Sequence, residues 1–212
     1  MSPVSGIRGV IFDMDGTLTV PVIDFALMRR RLGIPEGDIL AILRGWPEER
    51  QKAAFDIIEE IEEEGRFKLQ LQPGADALMR VLERRGLPRA ILTRNTEKTV
   101  RHLQTHLHTT FSVIITRSFP TFKPDPAPAL HICGKWGLKP AEVLLVGDFR
   151  DDLTCGKQAG TRTCLLLNER NSQYGGLADF TISSLEELAV GFAEADQQRP
   201  PMDLPGKRNR HE

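Results

Sequence analysis

Val10-Ile11-Phe12-Asp13-Met14-Asp15-Gly16-Thr17 is the stretch on which the reading of this chain turns. Three residues suited to a pleated, buried surface run straight into two carboxylates spaced two apart, and Gly16 lets the backbone turn away behind them. A strand therefore ends at Phe12, with both acids leaving its carboxyl end. In open α/β sheets that end borders the crevice where ligands bind. Alone, the stretch reads equally well as a strand cap whose aspartates are solvated turn formers. The rest of the chain decides between the two.

Four more apolar runs follow: Ala90-Ile91-Leu92, Val113-Ile114-Ile115, Val143-Leu144-Leu145-Val146 and Cys164-Leu165-Leu166-Leu167. They are continuous rather than alternating, the mark of strands buried on both faces. Between them, helices are predicted over 75–85 ended by Gly86, 96–107 with Thr96 as N-cap, 126–136, and 151–159 stopped by Gly160. The alternation predicts an α/β core, a doubly wound parallel Rossmann-like sheet. Residues 18–72 break the rhythm with three amphipathic patterns, the first on Phe25, Leu27, Met28 and Leu32. A structureless loop of that length is unusual, so a small all-helical cap inserted after the first strand is expected. The acids Glu59, Glu60, Glu62, Glu63 and Glu64 read as the solvated face of its last helix. The expected division is a core of 1–17 and 73–195, a cap of 18–72, and a disordered tail of 196–212 with Pro200-Pro201 and Pro205-Gly206.

The 212 residues suffice for one sizeable domain with a small insert. A hydrophobic share of 40%, a charged share of 27% and a formal net charge of −1 describe an ordinary water-soluble composition without the basic field a nucleic-acid partner requires. No apolar stretch approaches the ~18–20 residues that span a bilayer, so no membrane association is expected. Cys133, Cys155 and Cys164 show neither a C-x-x-C pair nor metal-ligand spacing with histidine, which points to a reducing compartment. A cytoplasmic location follows as the expectation, an organelle staying open, together with a monomer or weak dimer.

Polar groups follow each of the first four strands. Asp13 and Asp15 are joined by Thr93, with Arg94 and Asn95 behind it, by Lys123, and by Asp148, with Asp151 and Asp152 behind it. Each has an ordinary reading alone: Asp148 as partner of a helix N-terminus, Lys123 as a surface lysine, Arg94 and Asn95 as caps of the next helix. Gathered in one crevice, four acids around one lysine repel strongly, and a hard divalent cation with oxygen ligands, Mg²⁺, would relieve them.

In their order these residues resemble the motifs of the haloacid dehalogenase-like hydrolases over 7 to about 160. Asp-x-Asp-Gly-Thr stands at Asp13 to Thr17, the strand-ending Thr at Thr93, Lys-Pro at Lys123-Pro124, and Gly-Asp with a second acid four residues on at Gly147-Asp148 and Asp152. The chain looks most like the phosphoglycolate phosphatase-like members with a short helical cap. That resemblance implies a Mg²⁺-dependent phosphatase acting on a small phosphorylated substrate through an aspartyl-phosphate. It implies Asp13 as nucleophile, Asp15 as general acid and base, and Thr93, Arg94, Asn95 and Lys123 around the phosphoryl group. It places the metal among Asp13, the backbone carbonyl of Asp15 and Asp148, with Asp152 orienting metal-bound water. Asp15 argues against the carbon–halogen branch, which has no alkoxide to protonate. A sugar phosphomutase stays as an alternative, although 18–72 contains no histidine and only Lys52 and Lys68. A non-catalytic binding protein that keeps the fold is the other. All enzyme readings require the carboxyls of Asp13 and Asp148 to share one rim of the sheet.

Overall fold

The computed structural model describes residues 2–197. Its centre is a parallel sheet in which β1 (Gly9–Phe12) pairs with β2 (Arg89–Leu92) on one side and β4 (Val143–Gly147) on the other. β3 (Val113–Ile115) lies beyond β2, while β5 (Arg162–Leu166) and β6 (Phe180–Ile182) lie beyond β4, giving the order β3-β2-β1-β4-β5-β6. The chain moves outward from β1 to β3 and then crosses back to β4. Strand order therefore reverses between β1 and β4, where such sheets open a crevice.

Side chains alternate across the sheet, and each set has its own layer of helices. Val10, Phe12, Ile91, Leu144 and Val146 pack with Leu78 and Leu82 of α4 (Ala75–Arg84), Leu103 of α5 (Glu97–Leu107) and Phe192 of α8 (Leu185–Gln197). Ile11, Leu92 and Leu145 pack on the opposite side with Ile132 of α6 (Ala127–Trp136) and Cys155 of α7 (Arg150–Ala159). The doubly wound α/β expectation is met. β3 is an edge strand with Ile114 exposed, so its run is not buried on both faces as expected. β6 adds a sixth strand, and its short Phe-Thr-Ile sequence carries too little periodicity to announce it. The predicted tail from 198 onward lies outside the described residues, and α8 runs two residues past the predicted end of the core.

Between β1 and α4 stand α1 (Phe25–Leu32), α2 (Ile39–Arg44) and α3 (Glu48–Phe67). Asp24 and Asp38 cap the first two, accepting from Leu27 N at 2.8 Å and Ala41 N at 2.9 Å. Met28, Leu32, Leu43, Ala54, Ile58 and Ile61 form a separate apolar cluster. Phe25, grouped with that face in sequence, is exposed. The acidic stretch of α3 is not a uniformly solvated face. Glu62 is buried and takes both Arg117 Nη1 and Nη2 at 2.9 Å, because this side of α3 turns toward the sheet layer rather than to water. Glu59 accepts from the buried Arg66 and from Lys98, each at 2.9 Å.

The three cysteines are free and buried, and burial pushes their thiols up, Cys155 to about 12. Among the described residues no helix is long and apolar enough to cross a membrane.

Candidate active site

The pairing of β1 with β4 brings the two acidic motifs together. Phe12 lies opposite Val146, and Asp13 N donates to Val146 O at 2.9 Å, so Asp13 and Asp148 leave adjacent strands at the same level. Asp13, Asp148 and Asp152 each present a carboxylate oxygen, all within 4.8 Å of one another. The shared rim required by the sequence reading exists. Two glycines make it possible. A Cβ on Gly16, whose φ is +82°, would stand 2.2 Å from Asp148 Oδ2, and one on Gly147 would stand 2.3 Å from Asp152 Cβ.

Lys123, in the loop after β3, is buried and donates to Asp13 Oδ1 and to Asp152 Oδ1, the latter at 2.5 Å. Asp152 sits in the first turn of α7 and turns its other oxygen to Phe149 N at 3.0 Å. Phe149, not Asp148, is the N-cap of that helix, so Asp148 does not cap it but stands one residue before the cap, beside the positive end of the helix dipole. Asp151 pairs with Arg150 at 3.3 Å, outside the cluster.

Burial raises the pKa of Asp13 well above the ordinary carboxylate range, with Asp152, Asp148 and Asp15 adding to it against the opposing Lys123. Burial and then Asp152 push Asp148 up to about 7. Burial disfavours the Lys123 ammonium, but Asp13 and Asp152 outweigh it and hold its pKa above the ordinary value. The cluster carries more carboxylates than one ammonium can balance. An all-oxygen donor set short of positive charge fits a hard divalent cation.

Asp15 is raised by burial and held back by a hydrogen bond from Asn95 Nδ2 to its Oδ2. Thr93 is buried at the end of β2, and its Oγ1 accepts from Asn95 N at 3.1 Å. Arg94 does not turn its side chain into the carboxylate cluster. Its Nη2 reaches Asp38 at 2.6 Å, and its guanidinium lies 4.7 Å from the centre of the Phe122 ring, with Arg44 on that ring at 4.2 Å. These contacts bring α2 against the loops that carry Thr93 and Lys123. The cap of α5 is Thr96, as expected, so neither Arg94 nor Asn95 serves there.

Sequence reasoning missed the groups after β5. Asn168 Nδ2 donates to Asp148 Oδ2 at 3.2 Å, and Asn171 Nδ2 donates to Asp148 O and to Leu166 O, each at 2.8 Å. The signal was available, since both follow the carboxyl end of a strand beside β4. Gln72, which donates to Gly16 O at 3.0 Å, had no such signal.

A parallel sheet with three carboxylates gathered at its β1–β4 crevice defines an α/β protein of the doubly wound class with its candidate site at the switch point. The chain belongs to the haloacid dehalogenase-like hydrolase family, whose model matches residues 7–160. It is 42% identical over 193 residues, 85% of this chain and 78% of the other, to a haloacid dehalogenase-like hydrolase domain-containing protein of Arabidopsis thaliana. It is 28% identical over 211 residues, 86% of this chain and 95% of the other, to a phosphoglycolate phosphatase of Chromobacterium violaceum. A solved hydrolase from Pseudomonas syringae shares the fold, with TM-score 0.73, 20% identity, and 88% and 98% of the two chains covered.

Proposed function

We propose that this hydrolase is a Mg²⁺-dependent phosphatase of small phosphate monoesters, with 18–72 as its cap. The observation that carries the reading is the under-neutralised trio Asp13, Asp148 and Asp152 around one buried lysine. The phosphatases among its relatives support the choice of a phosphate ester as substrate.

Asp13, the backbone carbonyl of Asp15 and Asp148 would hold the cation, while Asp152 fixes Lys123 and orients the shell around them. Bound there, Mg²⁺ supplies positive charge against the carboxylates and the phosphate dianion. Asp13 attacks phosphorus, and the bond from phosphorus to the leaving oxygen breaks. Asp15 gives that oxygen its proton, so an alcohol departs. Water then attacks the aspartyl-phosphate, Asp15 takes its proton, and inorganic phosphate leaves with Asp13 restored. Thr93 Oγ1, the Arg94 N–H and the Lys123 ammonium hold the phosphoryl oxygens as charge moves between them.

The test is phosphate release from a panel of 2-phosphoglycolate, sugar phosphates, nucleotides and aryl phosphates, with Mg²⁺ and with excess chelator. Turnover should appear with Mg²⁺, vanish in chelator and return when the metal is restored. Full activity in chelator, or no turnover on any member, overturns the reading.

A further inference from the structure

We propose that Asn95 is the positioning residue of Asp15, and that the insert braces it through Glu62 and Arg117. The proposal rests on the reading of Asp15 as general acid and base. Asn95 is 3% exposed and is fixed at four points, one of them a longer contact from its side-chain nitrogen to Met14 Sδ at 3.7 Å. Its side-chain nitrogen donates to Asp15 Oδ2, its backbone N–H to Thr93 Oγ1, and its carbonyl accepts from Arg117 N at 3.1 Å. Arg117 is held in turn by both carboxylate oxygens of Glu62 on α3. One chain of contacts thus runs from the insert to the acid.

An amide nitrogen can only donate, so Asn95 occupies Oδ2 as an acceptor and leaves Oδ1 to carry the proton. Among the described residues no other hydrogen bond holds the Asp15 carboxyl. Pinning one oxygen points the other at the leaving group in each turnover. This assigns Asn95 to the proton transfer and not to the phosphoryl group, and it makes full seating of α3 a condition for efficient protonation.

Protonation matters in proportion to how poor the leaving group is, which separates this role from a structural one. The ratio kcat/KM reports phosphoryl transfer to Asp13 and is measured with Mg²⁺ on 4-nitrophenyl phosphate, whose nitrophenolate departs unaided, and on an alkyl phosphate, whose alkoxide does not. Asn95→Ala and the volume-keeping Asn95→Leu should lower kcat/KM on the alkyl ester by about 10²-fold and on the nitrophenyl ester by less than about threefold. Glu62→Gln should shift the same ratio in the same direction by about three- to tenfold. Retained nitrophenyl turnover shows that the variants are folded. Equal losses on both esters, or no loss on the alkyl ester, overturn the positioning role while leaving the phosphatase reading intact. A wild-type chain without turnover on either ester overturns both.

Discussion

At the junction of insert and core, the Glu62 carboxylate meets the Arg117 guanidinium with two hydrogen bonds, whereas at the rim of the sheet Asp13 and Asp152 share the one ammonium of Lys123 with the Asp148 carboxylate beside them. Both clusters are largely shielded from water, yet they differ in their balance. Burying a matched pair costs desolvation that its hydrogen bonds return only in part, since burial leaves the Glu62 pKa raised against the opposing Arg117, and the pair then holds two elements in one arrangement. Burying an excess of like charge is returned only in part, by Lys123, the Asn168 amide and the Phe149 N–H. The first arrangement is a clamp, and the second, on the proposed function, is completed by a cation and a phosphate. Strain of this kind is retained where chemistry uses it.

The contrast breaks most visibly at Asp13. Asp13→Asn should lower turnover by about three orders of magnitude or more, since the covalent route is lost, while the melting temperature holds or rises as one of the crowded charges is removed. Steady-state assay and thermal unfolding on the same sample check both halves. Residual turnover above about a tenth of wild type would remove Asp13 as nucleophile.

The opposite response is expected at the clamp. Glu62→Ala should cost about 3 kcal/mol in urea unfolding, because it leaves the Arg117 guanidinium, only 18% exposed, without its partner. Arg117→Ala should cost a similar amount, and the double variant should cost clearly less than the sum. A loss below about 0.5 kcal/mol for Glu62→Ala would make the pair a surface interaction and erase the contrast.

The two clusters were also unequally visible in the sequence. The rim was readable because each group follows a buried strand: Asp13 after β1, Thr93 after β2, Lys123 after β3 and Asp148 after β4. A parallel sheet sends those ends to one crevice whatever the loops do. The helices of the core were readable from periodicity and from Thr96 and Gly160 at their ends. The clamp was not. Glu62 stands in a run of acids that resembles any solvated helix face, and only the seating of α3 turns it toward Arg117. Asn95 was visible as a neighbour of the site, but its bond to Asp15 depends on a side-chain direction that no spacing encodes. The same holds for Arg94, whose charge is spent on Asp38 and the face of Phe122.

The finest probe of the comparison is Asp148, because its pKa, pushed up to about 7 by burial and by Asp152, ties stability to pH. In the unfolded chain an aspartate titrates near ~3.9, so the folded state binds its proton more tightly. Stability of the metal-free protein therefore falls as pH rises from about 4, and this loss is complete only above about 7. Asp148→Asn carries no such charge, so at pH 8 and without metal it should be more stable than wild type by on the order of 1 kcal/mol. Saturating Mg²⁺ should reverse the order, since the wild type gains binding free energy that the variant largely forgoes. Melting curves at pH 5 and 8, with and without Mg²⁺, read all four combinations. A variant less stable than wild type at pH 8 in chelator would mean that the protein already satisfies the Asp148 carboxylate, and the rim would then be a second clamp.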